Sequence, residues 1–255
     1  MRIDFHLHCL ADDPAWPERQ IALMDEAKVT YSVLQPLPGT EFKGHICGDN
    51  AAVLNVVKRF PDRFIGSIYL DPRAEDWRET IARYHGEGSR CVKLWPTAGY
   101  YPDEECFTPF FERLADLRLP VVMHAGMTNL GNDSASKYAD PIRMEPLIRR
   151  YPDIPFVLAH WGGLGTLQTA WAMMKANAGL YLDASGRRWV WPGTAYYRLM
   201  EPTTPLDFRR VLWGTDNLVP PAEDIEAYSG ILKEIGREAF ADAFFGGTAR
   251  RLLRL

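Results

Sequence analysis

A (β/α)8 TIM barrel built as a single domain over residues 1–255 is the fold class predicted here, and three observations predict it. The chain has 255 residues, close to the roughly 250 such a barrel takes. Short runs of Val, Ile, Leu and aromatic residues alternate with longer segments of helical period, as repeated β–α units do. Eight such runs can be marked out. An open doubly wound sheet uses the same units, but eight repeats favour the barrel.

The expected strands are 2–8, 30–35, 63–70, 91–95, 120–124, 155–160, 179–183 and 210–215. The runs Val121-Val122-Met123 and Phe156-Val157-Leu158 are apolar throughout, as in strands covered on both faces. A first helix is expected around 17–27. Val53, Val57 and Phe60 share a helical face, as do Leu164, Leu167, Trp171 and Met174, and again Ile225, Ile231, Leu232 and Ile235. Segments 107–117 and 248–253 complete the helical set. The Pro-rich connection 36–48 is the longest early loop and is placed to fold over the barrel mouth. No linker composition or low-complexity stretch divides the chain.

Composition excludes several function classes. A formal charge of −4 gives no reason to expect nucleic acid or an anionic membrane as partner. No run approaches the roughly 20 apolar residues of a membrane helix. The four cysteines, Cys9, Cys47, Cys91 and Cys106, form no CxxC pair and no secreted disulfide framework. With no room for a leader before the first strand, a cytoplasmic setting is the default expectation.

The chemistry-bearing residues sit at strand ends. Asp4, His6 and His8 alternate along the first strand and should share one face, with Phe5 and Leu7 on the other. Two imidazoles side by side suit one metal ion. His124 closes the fifth apolar run, His160 the sixth, and Asp216 the eighth. Barrel active sites are built at these C-terminal strand ends. A lone His-x-His is more often hydrogen-bonded core than ligand. The recurrence at several strand ends shifts the balance, because burying such groups unpaired is costly.

The chain resembles the amidohydrolase superfamily, more closely the amidohydrolase-related branch that includes aminocarboxymuconate-semialdehyde decarboxylase. The resemblance rests on Asp4-Phe5-His6-Leu7-His8, Val92-Lys93-Leu94, Val122-Met123-His124, Leu158-Ala159-His160-Trp161-Gly162-Gly163, Tyr181-Leu182-Asp183-Ala184-Ser185-Gly186 and Trp213-Gly214-Thr215-Asp216. It implies that His6, His8, His124 and Asp216 hold one divalent metal, zinc with manganese as the alternative, and that His160 and Asp216 are catalytic. A bound Zn²⁺ brings the pKa of its water to about 7, and a histidine can then shuttle the proton. Lys93 is open to three readings: a carbamylated bridge between two metals, an unmodified substrate contact, or a partner of Asp4. One metal is favoured.

Substrate-side expectations are Lys93, Trp95, Trp161, Arg187 and Arg188. Trp95, Trp161 and Trp189 follow strand ends and would wall a flat substrate, though loop packing explains each as well. Arg187 and Arg188 would clamp a carboxylate bidentately; a solvated basic pair is the plainer reading. His45 and His85 lack strand-end context and are read as surface residues. The expected activity is metal-dependent hydrolysis of a small ester, lactone or amide. The alternative is non-oxidative decarboxylation of a small aromatic or unsaturated acid. Relatives that decarboxylate usually carry an insertion after the first strand, which is missing here. The partner expected is a small-molecule substrate; pairing through barrel-side helices is common in the family, so a homodimer is among the expectations.

Overall fold

The computed structural model describes residues 1–42, 44–127 and 135–255. Eight parallel strands form one sheet in chain order: β1 Ile3–Leu7, β2 Tyr31–Leu34, β3 Phe64–Leu70, β4 Cys91–Leu94, β5 Val121–Met123, β6 Phe156–Leu158, β7 Leu180–Asp183 and β8 Val211–Leu212. Its two end strands meet. Phe5 N–H donates to Trp213 O at 2.9 Å and Asp216 N–H to His6 O at 2.8 Å. Gly214 makes this seam feasible, since a Cβ there would lie 2.7 Å from His6 Cβ. The barrel expectation holds.

Every expected strand is present, but several stop early. His160 and Asp216 adopt φ of 56° and 55°, a left-handed backbone that no β ladder accommodates. The last residues of these runs therefore leave the sheet and turn into the mouth.

Helices α1 Trp16–Glu26, α2 Asn50–Arg59, α3 Trp77–Gly86, α4 Thr108–Leu117, α5 Glu145–Arg150, α6 Leu167–Ala176, α7 Arg187–Val190, α8 Thr194–Met200, α9 Pro221–Glu234 and α10 Thr248–Leu253 follow the strands. Asp49 caps α2 by accepting from Ala52 N–H at 2.8 Å, a contact that offsets one orphan donor of the first turn. Leu164 does not join the α6 face as expected. The Thr166 hydroxyl donates to Gly162 O at 2.8 Å, holding 162–166 in a turn and leaving Leu164 exposed. No described helix is long and apolar enough to cross a membrane.

Connection 36–48 holds a short antiparallel pair, Glu41–Phe42 against His45–Ile46, that sequence did not suggest; residue 43 lies outside the described residues. Leu37 and Cys47 from this connection pack on Trp95. Besides this small cluster, the core of the described residues has two larger parts. Most apolar side chains fill the layer between strands and helices. A smaller cluster, including Phe5, Val33, Val122, Val157 and Leu212, is completed by Ala249 and Leu253 of α10.

β1 departs from simple alternation. Asp4 pairs with Ser32 and Leu7 with Leu34, so three steps along β1 match two along β2. One extra residue is accommodated, as in a β-bulge. Phe5 joins the smaller cluster, while Asp4 accepts from the His6 backbone N–H at 3.2 Å and meets neither imidazole. Its carboxylate accepts from Thr215 N–H at 3.0 Å and from the Thr215 hydroxyl at 2.6 Å. The expected single face for Asp4, His6 and His8 is thus corrected by the bulge. Pairing of Asp4 with Lys93 is corrected with it, because Thr215 takes both carboxylate oxygens.

Candidate active site

β1 delivers His6 and His8 to the barrel mouth, and the segment after β8 brings Asp216 to them. His8 Nε2 lies 3.2 Å from Asp216 Oδ1, and His6 Nε2 lies 3.6 Å from the same oxygen. His6, His8 and Asp216 form one group whose ligand atoms are all within 4.8 Å of one another. His6, His160 and Asp183 form a second.

Each first-strand imidazole is oriented through its other nitrogen. His6 Nδ1 is 2.5 Å from Asp183 Oδ2, and His8 Nδ1 is 2.7 Å from Gln35 O. Nδ1 donates in both cases, because a carboxylate and a carbonyl only accept. That leaves the two Nε2 lone pairs facing Asp216, the arrangement metal-binding histidines use. Asn217 adds a backbone clamp: it accepts from His8 N–H at 2.6 Å and donates to His8 O at 2.7 Å.

His124 and His160 enter from neighbouring strands, their ring centroids 5.0 Å apart. The loops that carry them touch backbone to backbone. A Cβ on Gly126 would lie 2.4 Å from Gly163 Cα, and both glycines have positive φ. His160 Nδ1 is 2.8 Å from Ser185 Oγ and 3.8 Å from Asp216 Oδ2. Both ring nitrogens of His124 are buried and, among the described residues, have no hydrogen-bond partner. Such an orphan is costly, and it stands beside a carboxylate–imidazole cluster. The donor set therefore fits a divalent cation.

Charge in the site is set by burial against neighbours. Burial pushes His160 down to about 4 although Asp216 opposes it. Burial, then His160 and Lys93, holds His124 well below its usual range. Burial alone would raise Asp183, but His6 outweighs it and keeps the carboxyl at about 2. Burial likewise works against Asp216, which His160, His8 and His6 nevertheless hold well below the carboxylate range. Lys93, pushed down to about 8 by burial, places Nζ 3.3 Å from His6 Nε2. His124 and His160 are thus neutral imidazoles beside the ionised carboxylates of Asp183 and Asp216.

Of the five substrate-side expectations, Lys93 and Trp95 come to the site; the Trp95 ring centroid is 4.2 Å from that of His124. Trp161 does not. Its left-handed backbone (φ 59°) turns the indole away into a packed aromatic cluster with Trp191, Trp171 and Phe208, where Nε1 donates to Tyr228 Oη at 3.0 Å. Arg187 and Arg188 are also corrected. Arg187 Nε donates to buried Asp224 at 2.7 Å, and Arg188 pairs with Glu223, both acceptors on α9. Trp189 instead stands over His160, with centroids 5.4 Å apart. His45 is half-exposed, 3.5 Å from Asp12.

Four residues of the site were given no role by the sequence reading: Gln35, Asp183, Ser185 and Asn217. Asp183 had the same strand-end signature as His124. Asn217 had none beyond adjacency to Asp216, and Gln35 acts on His8 through its backbone carbonyl, which no side chain advertises.

Comparison with known proteins follows the same lines. The amidohydrolase family profile matches residues 3–255, whereas no curated protein matches the chain. Among solved structures, an uncharacterised TIM-barrel protein of Bordetella bronchiseptica aligns with a TM-score of 0.77 at 20% identity, covering 99% of this chain and 98% of the other. A probable 2-pyrone-4,6-dicarboxylic acid hydrolase of Acinetobacter baumannii, with citric acid bound, gives 0.72 at 18%, covering 100% and 99%. An amidohydrolase of Burkholderia multivorans with bound zinc gives 0.72 at 17%, also covering 100% and 99%. At these identities the likeness is one of fold.

Proposed function

The chain belongs to the amidohydrolase family, and we propose that it is a metal-dependent hydrolase of a small ester, lactone or amide. The observation that carries this reading is His124, buried with both nitrogens unpartnered among the described residues beside the His6, His8 and Asp216 group. His6, His8, His124 and Asp216 would hold one divalent cation, zinc being the choice that an imidazole–carboxylate set favours. When bound, such a cation polarises a carbonyl and acidifies water.

The chain's own residues supply the rest. Asp216, ionised, would take a proton from water as the new C–O bond forms. It then returns that proton to the leaving oxygen or nitrogen. His160, neutral at physiological pH, orients the water or steadies the developing oxyanion. Trp95 and Trp189 flank the imidazoles and fit a flat acyl or aryl group. Lys93 Nζ, next to His6, is a candidate contact for substrate oxygen.

Elemental analysis of protein purified without added metal should find about one transition metal per chain. A panel of lactones, esters and aromatic acids, with products identified by mass, tests the reaction. Hydrolysis products are expected; release of carbon dioxide from an acid would assign the site to decarboxylation instead. His160→Asn should keep the metal and lose most turnover.

A further inference from the structure

Ser185 stands between two imidazoles. Its Oγ is 2.8 Å from His160 Nδ1 and 3.3 Å from His6 Nδ1, and its backbone N–H donates to Asp183 Oδ1 at 2.7 Å. Where each proton sits follows from what each partner can do. Asp183 Oδ1 accepts from the Ser185 N–H and Asp183 Oδ2 is 2.5 Å from His6 Nδ1, so this side chain acts as the acceptor and the His6 proton sits on Nδ1. Toward His6, therefore, the Ser185 oxygen can only accept. Among the described residues His160 Nδ1 is the other atom within hydrogen-bond distance of this oxygen, so the single hydroxyl proton has its acceptor there. The other polar neighbour of that nitrogen, Asp216 Oδ2, is 3.8 Å away, too far for a hydrogen bond.

We infer that Ser185 is a positioning residue whose hydroxyl donates to His160 Nδ1 and so fixes the His160 proton on Nε2. His160 then starts the cycle as a hydrogen-bond donor to the oxygen that gains charge, and Asp216 is left as the proton acceptor. A neutral imidazole in this role costs no proton transfer before the carbonyl is polarised. This assignment rests on the hydrolytic reading for its consequence, but the proton position itself does not.

The test is long-range ¹H–¹⁵N NMR of histidine-labelled, zinc-loaded protein, with His160→Gln assigning the resonances. The wild type should show His160 protonated at Nε2 and bare at Nδ1. Ser185→Ala should mix or reverse that tautomer, keep the zinc content, and lower kcat about tenfold to a hundredfold with KM little changed. Ser185→Thr, which keeps the hydroxyl, should restore the wild-type tautomer. A His160 proton on Nδ1 in the wild type, or unchanged resonances in Ser185→Ala, would overturn the inference. If no ester, lactone or amide is turned over while the spectra come out as expected, the inference stands and the hydrolytic reading fails.

Discussion

Asp183 Oδ2 and His6 Nδ1 lie 2.5 Å apart with both side chains closed off from solvent. The contact fixes the ring and leaves Nε2 as the free lone pair. Replacing Asp183 by Asn removes the charge while keeping the shape. Metal affinity should fall about 10- to 100-fold, read by competition with a chelator. Unchanged affinity would mean that Asp183 does not govern His6.

The contact between Gly126 and Gly163 makes an equally direct prediction. In Gly163→Ala the new Cβ would meet Ala125 O at 2.3 Å, at a φ of +94°. The backbone region alone should cost about 1–3 kcal/mol, and relieving the clash must separate His124 from His160. Thermal unfolding should shift down and turnover should drop. A variant as stable and active as wild type would show that the loops are not tied there.

Arg187 and Arg188 should behave differently despite being adjacent. Arg188 pairs with Glu223 at the surface, so Arg188→Ala should change stability by less than about 1 kcal/mol. Arg187→Ala leaves Asp224, which is 1% exposed, without its cation and with the Trp213 Nε1–H as a remaining donor, and should cost about 3 kcal/mol. Urea melts measure both. Substrate KM should be unaffected by Arg188→Ala; a large rise would return it to the binding site.

The metal-free protein should lose stability in mild acid. His6, His124 and His160 are all held below 6.5 by burial, so the unfolded chain binds more protons as pH falls beneath 6.5. His160 contributes down to about 4. Asp4 opposes this, since burial holds it up at about 7 and its contribution is lost as pH rises from about 4 to 7. Asp183, held at about 2, adds a loss beneath about pH 4. Asp224, which burial also raises, opposes the histidines too; with three histidines against two carboxyls, stability should decline between pH 6.5 and 4, by about 1.4 kcal/mol per pH unit for each net proton. Urea melts in chelator across this range check it, and a flat profile would contradict it.

Much of the architecture was legible because a strand covered on both faces must be apolar throughout, and Val121–Met123 and Phe156–Leu158 are. Strand-end polar residues then marked the mouth. Three things were hidden, for distinct reasons. An extra residue in β1 shows only when the partner strand is paired with it. The acceptors of Arg187 and Arg188 lie on α9, more than 30 positions away. Trp161 carries no sequence mark of the left-handed backbone that sends it inward.

The extra residue in β1 gives the chain one more buried apolar side chain than a regular strand of that register would supply. Without Phe5, two steps from Asp4 to Leu7 would match two from Ser32 to Leu34, and the same partners would pair with no bulge. Both histidines would stay in the chain, but the smaller cluster would lose the Phe5 ring. The irregularity is thus bound up with packing as much as with the donors.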